Sequence, residues 1–128
     1  MTAEEMTQQE ASNETTEDLT SREIIQKMID KFGRRMAKDE KARAEVEPIV
    51  KTLNIDLGEE TFNLKLEHAE VTVFEEGLLE QADITLKTTK ENLGQIVDGT
   101  LRPMRAYVTK KIVIKGKIED IMHLKKMF

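Results

Sequence analysis

The side chains able to act as nucleophiles, proton carriers or metal ligands are few in this 128-residue chain, and they are scattered. Cysteine is absent, which removes thiolate chemistry, disulfides and thiolate metal sites together. Ser12 lies in a polar leader and Ser21 beside a helix cap, so neither suits a nucleophile set in a cleft. His68 sits in the acidic turn "LEHAEV", where Glu67 and Glu70 could join it on a loosely held cation. The plainer reading is a solvated turn, because His68 and His123 share no metal-binding spacing of the HExxH kind. Carboxylates abound, but they fall in turns, and none is marked by an apolar setting as a general acid or base. The six glycines punctuate turns and helix ends and form no phosphate-cradling loop. No catalytic residue, metal or cofactor is therefore expected, and the chain does not read as an enzyme.

Charge is more informative. The net charge of −5 conceals a polarised distribution. Residues 1–18 carry six acids and no base. Residues 53–97 carry ten acids against three bases, and residues 98–128 three acids against eight bases. Arg102, Arg105, Lys110, Lys111, Lys115 and Lys117 could form a phosphate footprint. Only Tyr107 supplies a stacking platform near them, and the overall pI is about 5.2, so nucleic acid is not the expected partner. With no cysteine, no 18-residue apolar run and no signal-like leader, the expected address is cytoplasmic.

The elements that must position these groups follow from hydrophobic period. Residues 1–18 lack the apolar side chains needed to offset ordering entropy and are expected to be disordered, leaving residues 19–128 as one domain. "LTSREI" predicts a capping box of Thr20 and Glu23 with Leu19 and Ile24 as a staple. Ile24, Ile25, Met28, Ile29, Phe32 and Met36 then recur at helical spacing, and a second short helix is expected from Asp39 to about residue 46. The period changes to two near Leu53. Alternating runs at Leu53–Leu57, Phe62–Leu66, Val71–Val73 and Ile84–Leu86 predict four strands in an antiparallel meander with one apolar face. Thr88 with Glu91 predicts a helix ending at Gly99, and Pro103 opens another short one. A fifth strand, "KIVIKG", leads into a last helix presenting Ile118, Ile121, Met122 and Phe128. The expected fold is α+β, with a five-stranded, largely antiparallel sheet and helices packed mainly on one face.

This order of pieces, sharpest in "ADITLKTTKENLGQIVDGTLRPMRAYVTKKIVIKG", resembles the sterol carrier protein 2 family over residues 20–128. An Ala-Asp before strand four, the Gly, Leu and Pro of the middle helices, and a Lys-rich strand ending in Gly carry the resemblance. The family often has Gly where Lys110 stands, so that turn is expected to be built differently here. The resemblance implies a non-catalytic carrier that encloses a fatty acid, fatty acyl-coenzyme A, sterol or isoprenoid lipid in a tunnel between sheet and helices.

On that basis the lipid would be walled by Phe62, Leu64, Val73, Ile84, Ile96, Met104, Tyr107, Ile114, Ile121, Met122 and Phe128, with the last helix as lid. The cations from Arg102 to Lys117 would meet an anionic head group or a membrane. Seven methionines and an aromatic content of 4% suit packing around variable apolar shapes. Expected partners are the lipid itself and transient contacts with an anionic membrane or an enzyme, for a monomer or weak dimer. The competing expectation is an interaction module that keeps the fold without a bound lipid.

Overall fold

The computed structural model describes residues 16–125. Thr16 is buried, and its hydroxyl donates to Asp98 Oδ2 at 3.2 Å. Helix α1 (Ser21–Lys38) starts on the predicted box: Glu23 N–H donates to Thr20 Oγ1 at 3.1 Å, and Thr20 N–H donates to Glu23 Oε1 at 2.9 Å. Asp39 ends α1 in extended backbone and caps α2 (Glu40–Val46) by accepting from Ala42 N–H at 3.0 Å.

Five strands follow the change of period: β1 (Lys51–Asp56), β2 (Thr61–Glu67), β3 (Glu70–Glu76), β4 (Ile84–Lys87) and β5 (Val113–Gly116). The sheet order is β3-β2-β1-β4-β5, and every pairing is antiparallel except β1 with β4. The meander thus holds for three strands, and β4 departs from it. Its connection from β3 crosses the polar face of the sheet, and the crossing is pinned by side chains that alternation alone marks as solvent-facing. Asn63 Nδ2 donates to Gly77 O at 3.0 Å, and Asn54 both donates to Leu79 O at 2.9 Å and accepts from Leu79 N–H at 2.8 Å. Thr52 N–H then donates to Asp83 Oδ2 at 2.8 Å, just before β4. Both asparagines are buried as a result.

The apolar face carries the core. Leu53, Ile55, Phe62, Leu64, Ile84 and Leu86 pack with Ile24, Ile25 and Met28 of α1 and with Leu93, Ile96 and Val97 of α3 (Lys90–Asp98). Ala106 of α4 (Pro103–Val108) and Leu124 of α5 (Ile118–Lys125) complete that cluster. A second cluster joins Phe32 and Met36 to α2 and to Leu66 and Ala69 at the β2–β3 turn. Thr89, rather than Thr88, caps α3 by accepting from Asn92 N–H, while the Thr88 hydroxyl donates to Lys111 O. Gly94 lies inside α3 because Thr16 packs on it: a Cβ there would stand 2.5 Å from Thr16 Oγ1. No helix among the described residues is long and apolar enough to cross a membrane.

Candidate functional site

The expected lipid walls divide into three groups. Phe62, Leu64, Ile84 and Ile96 are buried within the core itself. Between the sheet and α5 the space left beside Leu64 and Ile84 is only about 10 Å³, room for one water at most. Val73 opposes Lys65 and so shares the polar face of the sheet. The cause is a bulge: the register shifts between Lys65 and Leu66, leaving Thr72 unmatched. Val71 and Phe74 take the apolar face that strict alternation reserved for Val71 and Val73. Phe128 lies outside the described residues.

The third group does converge. Met104, Tyr107, Ile114, Ile121 and Met122 line one groove of about 230 Å³, together with Pro103, Ile112 and Leu124. No charged side chain is among its walls. Ile112 precedes β5 rather than lying within it, and it is buried. On the other side of Pro103 a second groove, of about 470 Å³, runs between Met28, Phe32, Ile96 and Val97 and carries Lys31 and Arg35 at its rim. Lys31 Nζ donates to the Val97 carbonyl across it. Sequence reasoning passed over Pro103 as a wall because it served only as a helix starter. A larger basin, of about 700 Å³, is lined by Glu17, Lys90, Glu91, Gln95 and Asp98 and is too polar to hold a lipid chain.

The lid is rotated from its expected setting. Asp120 and Leu124, one helical turn apart, face the sheet and are buried, whereas Ile118 and Met122 are exposed and Ile121 is half-buried. An ion pair sets this rotation: Lys51 Nζ lies 2.7 Å from Asp120 Oδ1, joining β1 to α5. Hydrogen bonding to Asp120 raises the Lys51 pKa against the opposing effect of desolvation. His123, on the same helix, has a buried Nδ1 without a hydrogen-bond partner among the described residues. His68 and Ala69 form the two-residue β2–β3 turn with positive φ, and His68 Nδ1 lies 3.5 Å from Glu47 Oε1. No cluster of potential metal ligands forms among the described residues.

The six cations are all exposed but do not form one cluster. Arg102, Arg105 and Lys111 surround a depression of about 370 Å³ with Thr100 and Thr109. Lys115 opposes Thr85 on the polar face of the sheet, and Lys117 follows Gly116, which pairs with Ile84 at the start of β4. Lys110 turns the chain with φ 64°, the left-handed geometry that suits glycine, so the turn keeps that form despite its side chain.

An α+β domain with one covered sheet face and an apolar groove at the edge of its helical layer is the class these features define. The SCP-2 sterol transfer family matches over residues 29–128, and the chain belongs to it. No curated relative matches the chain. Among solved structures, sterol carrier protein 2 like 2 from Aedes aegypti is 18% identical with a TM-score of 0.55, covering 85% of this chain and 100% of its own. A palmitated form of SCP2L2 from Aedes aegypti, in solution, is 20% identical with a TM-score of 0.54, covering 80% and 91%. The sec-alkylsulfatase Pisa1 from Pseudomonas sp. is 20% identical with a TM-score of 0.56 over 67% of this chain, which spans only 14% of that enzyme. The same fold therefore also occurs as a small part of a longer enzyme. At such identities the likeness establishes the fold alone.

Proposed function

We propose that the chain is a non-catalytic lipid-binding or carrier domain, with residues 19–128 as the binding unit. Its ligand is a long apolar molecule of the fatty acid, fatty acyl-coenzyme A, sterol or isoprenoid class. The observation that carries the reading is the groove between α4, β5 and α5, whose eight walls are all apolar or aromatic and five of them Met or Ile. Family membership and the palmitated relative agree with it. At about 230 Å³ the groove is smaller than ordinary small-molecule sites of roughly 300–1,000 Å³. A long chain would therefore cross Pro103 into the second groove beside Met28 and Ile96. Exposed Met104 and Met122 are flexible enough to close over it. Phe62, Leu64 and Ile84 would form the floor beneath this path rather than line a pre-formed tunnel.

Native mass spectrometry of unrefined protein, with displacement of a fluorescent fatty acid, tests the proposal. Ile121→Arg places a charge among the apolar walls and should abolish uptake, with little loss of fold because Ile121 is only half-buried. Retention of full uptake would remove the groove from consideration. The packed interior favours a second reading, an interaction module that keeps the fold without lipid. A lipid-free protein that elutes as a stable dimer would support that reading instead.

A further inference from the structure

Thr16, the first described residue, packs on Gly94 and donates its hydroxyl to Asp98, both in α3. The chain ahead of Thr16 is thereby tethered beside the end of α3 that leads into α4. From Asp98 only Gly99, Thr100 and Leu101 intervene before Arg102, a span of at most about 14 Å. Thr100 walls both the polar basin that contains Thr16 and the depression formed with Arg102, Arg105 and Lys111. The two hollows are neighbours, and residues 1–15 adjoin both.

Charge chooses between them. Residues 1–15 carry Glu4, Glu5, Glu10 and Glu14 and no Lys or Arg. The basin presents Glu17, Glu91 and Asp98 against Lys90 alone, so it repels an acidic segment. The depression presents three cations and no acid among its walls. Among the described residues no carboxylate is paired with Arg102, Arg105 or Lys111. Reach is ample. Glu14 and Glu10 stand two and six residues before Thr16, which allows about 7 and 20 Å of extended chain, and α4 is only about 9 Å long. A tethered segment also acts at an effective concentration near the millimolar range, which a free acidic peptide at micromolar concentration does not match.

We propose that residues 1–15 dock through their glutamates on Arg102, Arg105 and Lys111 of the same chain and so close this depression to other anions. Every cation in the contact is exposed, so the contact is shallow, forms at low ionic strength and dissolves as salt screens it. It is an autoinhibitory contact built from two charged stretches that lie far apart in sequence and are brought together by the seat of Thr16 on α3. It stands apart from the carrier reading, because none of the three cations lines the apolar groove.

The absence of cysteine lets a single spin label be placed by Thr7→Cys in the full chain. At low salt the label should broaden the amide signals of Arg102, Arg105 and Lys111 more than those of Glu91 and Gln95 in the basin. The preference should vanish at high salt and in the triple variant Arg102→Gln, Arg105→Gln, Lys111→Gln. Inorganic pyrophosphate reads the closure. Replacing Glu4, Glu5, Glu10 and Glu14 by Gln should tighten its binding about fivefold at low salt. Replacing Glu59, Glu60, Glu75 and Glu80 by Gln removes the same charge from exposed sites elsewhere and should leave binding unchanged. Equal broadening of basin and depression would overturn the proposal, and the salt series reads this without any change to the depression. Equal tightening by the two fourfold variants would reduce the effect to net charge and overturn it as well. Labelled chain mixed with unlabelled, isotope-enriched chain tests the remaining occupant. Broadening there as strong as within one chain would assign the depression to a second copy's segment and overturn closure within the chain.

Discussion

Lys110 and Asp83 show how much a single position can depend on its backbone. At φ 64° Lys110 occupies a region that disfavours side chains by about 1–2 kcal/mol, and glycine would not feel it. Lys110→Gly should therefore raise stability by about 0.5–1 kcal/mol after the added freedom of the unfolded chain is subtracted. Urea denaturation should show the rise in midpoint with an unchanged slope. Asp83 accepts from the Thr52 amide and, at 3.0 Å, from its hydroxyl, and these bonds hold its carboxyl below the ordinary range against desolvation. A group with a lowered folded pKa contributes stability above its ordinary value and loses it as pH falls through the folded value. Thermal melts from about pH 5 down to about pH 2.5 should thus show a steeper loss in the native chain than in Asp83→Asn, which lacks the titrating group. Parallel curves would remove Asp83 from the acid response. The resemblance marked position 110 as one often held by glycine, but the left-handed backbone there and the bonds to Asp83 were not visible in the sequence. The resemblance pointed to an Ala-Asp before strand four, but only the parallel pairing of β1 with β4 brings Thr52 to that aspartate.

Among the elements, α1 and α5 differ in what holds them. Helix α1 has both capping-box bonds and an 18-residue amphipathic run, signals that are local and were therefore legible in "LTSREI". Helix α5 has eight residues, too few to persist alone in water, and depends on Leu124 and the Lys51–Asp120 pair. An element attached at so few points should open before the sheet does. Amide exchange is expected to be faster in α5 than in β1 and β2, faster again in Asp120→Asn, and slower in all forms when lipid fills the groove. Identical protection of α5 with and without lipid would show that the helix does not cover the ligand. The pair also has a pH signature. Because the folded Lys51 pKa is raised, its contribution is complete below the ordinary lysine value and fades as pH rises through the raised value. Sequence periodicity assigned Ile118 and Met122 to the buried stripe of α5. The long-range pair with Lys51 turned Asp120 inward instead, and no window of α5 alone contains that partner.

For the molecule as a whole, the crossing of the polar sheet face decides the topology. Asn54 holds both polar groups of Leu79, so Asn54→Ala removes two part-buried hydrogen bonds and should cost about 1–3 kcal/mol. Lipid affinity should stay unchanged, because the groove lies beyond β4 from this crossing. Denaturant titration and fatty-acid displacement on the same sample separate the two. If affinity falls with stability, the crossing and the groove are coupled.

By itself the sequence determined the helix starts at Thr20 and Pro103, the stop at Gly99, the change of period at Leu53 and the polarity of charge along the chain. Each of these depends on neighbours within a few residues, where spacing and side-chain type carry the information. Tertiary structure alone decided that β4 pairs parallel to β1, that the bulge at Thr72 exchanges Val73 for Phe74, and that α5 turns Ile118 and Met122 outward. It also decided that the apolar space lies in a surface groove between α4 and α5 while the sheet packs closed against its helices. Apart from the bulge, whose partners are near in sequence, these outcomes depend on distant partners, such as Ile84 for Leu53 and Asp120 for Lys51. An alternating or helical pattern specifies which face is apolar; what that face meets is settled only when the distant elements pack.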